Sequence, residues 1–443
     1  MPNPVADAGP STQIAEKLLA EDPHYIAAVT NLGDRQSVIA TEDIIGKNGV
    51  KLIAKGARVD SRLHEKLAAH RLNKNIDQHL AVENSVTPAS LAAAADQLIT
   101  THSFWQRLAA HSGDALAMRH GLARLKLPPA LAFKLTIARE QRPPLFLHGL
   151  RVAVLAHYLA LRLGINEKSS SHLLLAALCH DLGEMHTDPA ILDPKHRITD
   201  EERRFVYVHP ATGYVILRDT PGLMPEVARA VLHHHERLDG SGYPGGLDAS
   251  RIEPLALPLM VADTADAVLQ RFADHGRLRA LLRLNQRKYD PRSVAMLHEA
   301  LLAQNDATPD APATQDDRLP QLRAFAKLLD EWANVRRSLD DRQLAPGKNS
   351  LDFLHQRLQN LNSVLYQFGF DPGSFDTLIE LSQTDPEVAA ELNQVFDELQ
   401  FQLGAIAQEF DRHSTLLREV LSDVQMNAFA SWRKTLQETL QAP

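Results

Sequence analysis

The sequence predicts a mainly α protein: a helical bundle at its centre, a small β-rich module before it and a second helical bundle after it. Three observations carry that prediction. Short β-branched runs around a tight turn are confined to residues 38–59. Beyond Ser85, apolar residues recur at spacings of three and four, the period of an amphipathic helix. Helix start and stop residues punctuate 148–270, with a T-x-x-E capping box, a first-turn proline and terminal glycines. A length of 443 residues exceeds what one ordinary core serves. The predicted divisions are an α+β module over 1–85, a helical connector over 86–140, a histidine-rich helical domain over 141–302, a linker over 303–319 and a C-terminal helical bundle over 320–443.

Residues 1–24 are polar and rich in Pro, Ala and Asp, and read as a loose arm with one short helix. Val38-Ile39, Ile44-Ile45 and Val50, Leu52 and Ile53 read as strands around the Asn48-Gly49 turn, a hairpin module over 38–59. Gly56 breaks that run, and Ser61 to His70 reads as a helix opened by Asp60 or Ser61. Residues 87–140 carry only helix signals. Within 148–270 at least five helices are predicted. One runs from near His148 to Gly164, and one follows Ser169-Ser170-Ser171 and stops at Gly183. A third opens at Thr199-Asp200-Glu201-Glu202, and a fourth opens after Pro225. A Gly/Pro-rich loop, Asp239 to Gly246, precedes the helix that carries Asp263. The stretch from Gln304 to 319 is rich in Pro, Ala and Asp, as linkers are. After it, Leu392, Val395, Phe396, Leu399, Leu403, Ile406 and Phe410 step by three and four, as do Leu417, Val420, Leu421, Val424, Phe429, Trp432 and Leu436. Those stripes predict a bundle or antiparallel hairpin, with homodimerisation as their alternative use.

Composition excludes several classes. With 47 basic and 55 acidic residues the formal charge is −8, which argues against a nucleic-acid polymer or an anionic membrane as partner. The one cysteine, Cys179, cannot form an internal disulfide, which fits a reducing compartment. The N-terminus lacks the basic and apolar segments of a signal peptide, and no apolar run approaches 18 residues. The expectation is a cytoplasmic protein without a membrane span.

Histidine is the anomaly. Of 21 in the chain, ten fall between residues 148 and 235. Neutral imidazole is the commonest protein metal ligand, so clustering points to a metal site. His180-Asp181 ends the apolar run Leu173 to Cys179, where a buried aspartate is costly unless it is paired or bound to a cation. His234-His235 ends a second apolar helix, and Asp263 interrupts a third apolar run. His148 and His209 add two more donors. Five imidazoles and two carboxylates without a thiolate favour Fe or Mn over a structural zinc. Seven donors exceed the needs of one ion, so two metals bridged by an aspartate are expected, an arrangement suited to in-line attack on a phosphodiester.

The series His148-Gly-Leu-Arg151, His180-Asp181-Leu-Gly183, His209, His234-His235-Glu236-Arg-Leu-Asp239-Gly240-Ser-Gly242-Tyr243-Pro244 and Asp263-Thr-Ala-Asp266 resembles the HD-GYP family of metal-dependent phosphodiesterases. The resemblance runs from about 140 to 302 and closes at Tyr289-Asp290-Pro291; the 38–70 module also looks like the small N-terminal domain of some members. It implies an HD-type helical bundle that hydrolyses cyclic di-GMP to pGpG or GMP by attack of a metal-bridging hydroxide, in bacterial second-messenger signalling. By motif, His148, His180, Asp181, His209, His234, His235 and Asp263 would hold two ions of iron or manganese, Asp181 bridging, with His180 and Asp181 as the catalytic pair. Glu236, Asp239, Gly240, Gly242, Tyr243 and Pro244 would shape a loop that borders the substrate and meets signalling partners.

Several positions depart from the family pattern. Glu184 stands where a lysine usually helps neutralise the substrate phosphate. Pro144 occupies the place of a glutamate that gives some members a third metal, Leu257 replaces a frequent arginine, and an R-P-Y element is missing. Roles for Glu184, Arg151 and Asp266 are left open. These departures support an alternative reading, a catalytically weak module that senses cyclic di-GMP or serves as a protein-interaction hub.

Overall fold

The structure is a computed structural model that describes residues 10–20, 22–70, 75–192, 200–240, 242–272, 287–302, 319–339 and 421–441, together with positions 196, 278, 282, 358, 400, 402–404, 406 and 407. The chain divides into two compact units, Met1–Arg271 with Gln286–Gln304, and Phe272–Asn285 with Asn305–Pro443. The segments that the sequence set apart as 1–85, 86–140 and 141–302, apart from 272–285, lie together in the first unit.

The first unit opens with α1 (Pro10–Ala20) and α2 (Pro23–Arg35). The short helix expected in the N-terminal arm is present as α1, but it is packed rather than loose: it lies against a later helix and buries Thr12 and Ala15. Asp22 starts α2, its Oδ1 accepting from the amides of His24 (2.9 Å) and Tyr25 (3.1 Å). The hairpin expectation is corrected in part. β2 (Ile44–Ile45) and β3 (Lys51–Ile53) pair around Asn48-Gly49, but β1 (Val38–Ala40) pairs antiparallel with β4 (Leu80–Val82), outside 38–59. Asp60 caps a 3-10 turn, Ser61–Leu63, that leads into α3 (His64–Ala68).

The connector is four helices: α4 (Pro88–Thr101), α5 (Ser103–His111), α6 (Ala115–His120) and α7 (Pro129–Gln141). The histidine-rich bundle follows as α8 (Pro143–Arg162), α9 (Glu167–Cys179), α10 (Asp200–Tyr207), α11 (His209–Arg218), α12 (Pro225–His233), α13 (Ala256–Phe272) and α14 (Pro291–Leu302). α8 begins five residues before the predicted start, because Pro143 and Pro144 fit the first turn, where a missing N–H costs nothing. Thr199 of the expected capping box lies outside the described residues. Against the expectation from apolar run length, α8 is long and apolar enough to cross a membrane by length and composition, the one such helix among the described residues. Its apolar surface faces protein instead: Val152, Val154, Leu155, Tyr158 and Leu159 are buried, and α8 packs along α9. Each such buried side chain contributes about 1.5–3 kcal/mol.

The second unit joins α15 (Leu319–Arg337) to α16 (Asp423–Gln441). Phe325, Leu328, Trp332, Phe429, Trp432 and Leu436 are buried. The Trp332 and Trp432 ring centroids lie 5.3 Å apart, and the Trp432 indole donates to the Leu328 carbonyl at 3.2 Å. Val424, read as part of the apolar stripe, is exposed. Of the preceding stripe, Leu403 and Ile406 are buried and the other members lie outside the described residues, as does most of the linker.

Candidate metal centre

All seven predicted donors sit at helix ends or on one inner face, and the fold brings them together. His148 lies in the second turn of α8. His180 and Asp181 follow α9, and His209 is the first residue of α11. His234 and His235 follow α12, and Asp263 projects from the middle of α13. The turn after Asp181, Leu182–His186, is 3-10 and lies directly under α11. A Cβ at Gly183 would come within 2.1 Å of the His209 carbonyl oxygen, so glycine is what lets the two ligand-bearing segments approach.

Asp181 stands between two histidine groups. Its Oδ1 is 3.3 Å from His209 Nε2 and 3.5 Å from His234 Nε2. Its Oδ2 is 3.1 Å from His180 Nε2 and 3.4 Å from His148 Nε2. Asp263 offers Oδ1 to His148 at 3.2 Å and Oδ2 to His235 Nδ1 at 3.8 Å. Asp181, His209, His234 and His235 can therefore surround one ion, and His148, His180 and Asp263 a second, the donor atoms of each group lying within 4.8 Å of one another.

The far sides of the rings decide which atoms face inward. His180 Nδ1 meets the Ala177 carbonyl at 2.8 Å, and His209 and His234 Nδ1 meet the carbonyls of Val206 and Val231, each at 2.6 Å. Each partner is three residues earlier, a carbonyl at the end of the preceding helix or turn. His148 Nδ1 meets Asp266 Oδ2 at 2.7 Å, and Arg151 grips the same carboxylate through Nε (2.7 Å) and Nη2 (2.9 Å). In neutral rings these contacts hold the proton on Nδ1 and turn the Nε2 lone pairs toward the centre. His148 and His180 Nε2 then face each other at 3.1 Å, and His209 and His234 Nε2 at 3.3 Å. A proton or a bound cation satisfies two ring nitrogens at that distance, and with two carboxylates converging on the same rings the donor set fits divalent metal.

Electrostatics agree. Burial alone would raise the Asp181 carboxyl, but His180, His148 and His209 hold it well below the usual carboxylate range. Asp263 is held there by His148 and His180, again against burial. Burial would lower His148 and His180, yet Asp181, Asp263 and, for His148, Asp266 push them up to about 12 and about 10. His234 and His235 are lowered by burial and by their imidazole neighbours, and stay neutral as ligands must. A dication held by this cluster would take the place of the protons on His148 and His180.

The predicted loop closes one side. Glu236 is fully buried and acts inside the loop, its Oε1 and Oε2 accepting from the amides of Gly245 (2.6 Å) and Leu247 (2.9 Å). A Cβ at Gly242 would lie 2.4 Å from the Arg237 nitrogen, so the loop folds back on itself only with glycine there. Gly240 has a φ of 76°, Asp239 bridges to Asp248, and the Tyr243–Pro244 peptide is cis. The Tyr243 ring lies over the site, 4.7 Å from the His235 ring. The Tyr289 of the closing element accepts from Thr264 at 3.3 Å beside Asp263, and its ring lies under the Arg237 guanidinium.

Glu184 is mostly buried beside the first group. Burial raises its carboxyl to about 7, with Asp181 adding to the rise, and it makes no hydrogen bond or ion pair with its side chain among the described residues. The other clustered histidines stay outside the centre. His157, His186 and His233 are buried elsewhere, while His172 pairs with Glu226 and His196 with Glu202. Burial pushes the Cys179 thiol up, which leaves it unreactive packing before His180.

This geometry could hold two metal ions between histidine and aspartate side chains. Residues 130–292 match the family model described as HD domain. The chain is 37% identical over 123 residues to a cyclic di-GMP phosphodiesterase of Pseudomonas aeruginosa, covering 28% of this chain and 30% of that one. It is 34% identical over 125 residues to the 3'3'-cGAMP-specific phosphodiesterase 1 of Vibrio cholerae, covering 28% and 29%. It is 32% identical over 154 residues to the cyclic di-GMP phosphodiesterase response regulator RpfG of Xanthomonas campestris, covering 33% and 41%. The matches thus span about a third of the length of these relatives. The HD-domain match takes in all seven candidate donors, and their motif series resembles that of HD-GYP proteins.

Proposed function

We propose that this chain is a cyclic-dinucleotide phosphodiesterase, with cyclic di-GMP as its first substrate candidate, acting in the cytoplasm with two divalent ions of iron or manganese. The observation that carries the reading is Asp181, whose two oxygens each serve a separate pair of imidazoles. The activities in the names of the relatives support the substrate class. When bound, two cations supply neutralisation of the phosphoryl oxygens and a nucleophile at neutral pH. The chain's own residues do the rest: Nδ1 anchors orient the rings, Asp266 and Arg151 fix His148, and Glu236 holds the loop that presents Tyr243. Anaerobic purification with metal quantification, followed by incubation with cyclic di-GMP, tests the proposal. About two iron or manganese ions per chain and release of pGpG or GMP are expected. A metal-free protein without turnover overturns it.

Glu184 favours a second reading, a metal-retaining module that binds the dinucleotide and turns it over slowly. In its ionised form, which a carboxyl raised to about 7 takes up only toward neutral pH and above, Glu184 repels a phosphate, where a lysine would attract it. Glu184→Lys is expected to raise kcat/KM about 5- to 30-fold, the equivalent of about 1–2 kcal/mol of charge reversal near the surface of the site. Glu184→Gln should give part of that gain, with metal content unchanged in both. No gain in either variant, beside robust wild-type turnover, removes the repulsion argument and the sensor reading with it.

A further inference from the structure

We propose that Tyr207 is the stacking platform for one purine of the substrate. This rests on the cyclic-dinucleotide reading and names a residue outside the expected ligand set and loop. Tyr207 ends α10, two residues before the ligand His209. It is 43% exposed, the one aromatic among the exposed large apolar side chains of the described residues. Its ring centroid lies 4.6 Å from that of Tyr243, and Tyr243 lies 4.7 Å from His235. Three rings thus step outward from the Asp181 group to solvent: His235, Tyr243, Tyr207.

Burial explains the first two rings of that ladder and leaves the third. Tyr243 is half-buried between His235 and Tyr207, whereas Tyr207 packs on Tyr243 and leaves nearly half its surface open. Its hydroxyl makes no hydrogen bond among the described residues. An aromatic surface that is open and held by another ring costs hydration free energy unless something covers it. A phosphodiester at the histidine groups carries a nucleoside on each side, and a ladder of rings leading from the ligands is where a base would lie. Stacking on an aromatic ring is tolerant of base identity, because every base has a π-face. Tyr207 therefore supplies affinity for guanine and adenine alike and leaves the choice between them to other residues.

The test is calorimetric binding of cyclic di-GMP to the metal-loaded full chain, together with its steady-state hydrolysis. Tyr207→Ala is expected to weaken binding and raise KM about 5- to 100-fold, with kcat and metal content unchanged. Tyr207→Phe and Tyr207→Trp should restore wild-type values, since the ring and not the hydroxyl is the platform. A Tyr207→Ala protein with wild-type Kd and KM overturns this assignment alone. So does an equal loss in Tyr207→Phe, or a loss of kcat and metal together, either of which means a structural role. A metal-loaded wild-type chain that neither binds nor hydrolyses cyclic di-GMP overturns the functional reading and this one with it.

Discussion

Replacing Asp181 with alanine is expected to strip metal from both histidine groups and to abolish turnover. Each Asp181 oxygen faces two imidazole Nε2 atoms, between 3.1 and 3.5 Å away, so one carboxylate is shared by all four rings. Without it, the first group keeps only neutral imidazoles, and the second keeps Asp263 as its single anion. Charge neutralisation of the phosphoryl oxygens by bound cations contributes several kcal/mol, so a loss of at least about a thousandfold in kcat is expected. Asp181→Asn separates charge from shape. It keeps one acceptor oxygen and turns an NH2 toward the other pair of rings, so about one ion should remain. Metal quantification and circular dichroism on the same samples check both variants. Two ions retained in Asp181→Ala would show that the two groups do not share this carboxylate.

The parts of this centre that were legible in the sequence share one property: they are costly where they stand. His180-Asp181 after seven apolar residues, His234-His235 at the end of α12 and Asp263 inside an apolar run each put polar atoms where burial needs a partner. The structure brings all of them, with His148 and His209, to one place. What could not be read was carried by the backbone or by long-range contact. The carbonyls of Ala177, Val206 and Val231 that orient the rings have no residue identity, although their constant offset of three residues is a pattern in hindsight. Asp266 reaches His148 and Arg151 across more than a hundred residues. Glu236, expected to help shape the loop, is 0% exposed and ties it from inside, through amides that the sequence does not mark. The same limit applies to the fold. β1 pairs with β4 about forty residues on, and local pattern offered only the nearer Asn48-Gly49 turn. His186 likewise gives no local sign of its partners, which lie more than fifty residues away in sequence.

Those partners lead to the largest stability effect expected in the chain. Lys134 on α7 is 1% exposed, and its ammonium pairs with Asp77 Oδ2 at 2.9 Å, each side chain 2% exposed. It also lies 3.5 Å from the centroid of the Tyr25 ring and 3.3 Å from His186 Nε2. The Tyr25 hydroxyl donates to Asp77 at 2.5 Å, and His186 Nδ1 bonds to Asp22, the cap of α2. Burial and the Lys134 charge hold His186 below its usual range, so the ring stays neutral, donating to Asp22 and accepting from Lys134. One buried cation thus ties α2 and the Asp77 turn to α7 and to the 3-10 turn that follows Asp181. Lys134→Met removes the cation and leaves Asp77 charged, and breaking a buried pair in this way costs about 3–5 kcal/mol. Over a unit of this size that is a fall of about 6–20 °C in the melting temperature. Adding Asp77→Asn to Lys134→Met removes the stranded charge and should recover much of the loss, because exchanging a whole buried pair for neutral groups is often nearly free. Hydrogen exchange of the α2 and α7 amides reads the effect where it arises. If the single and double variants lose equal stability, the cost comes from packing, and the network does not bind the N-terminal helices to the metal-bearing turn. If the double variant recovers, weakened metal retention in Lys134→Met alone would show that order in the Leu182–His186 turn depends on a charge supplied from outside the ligand set.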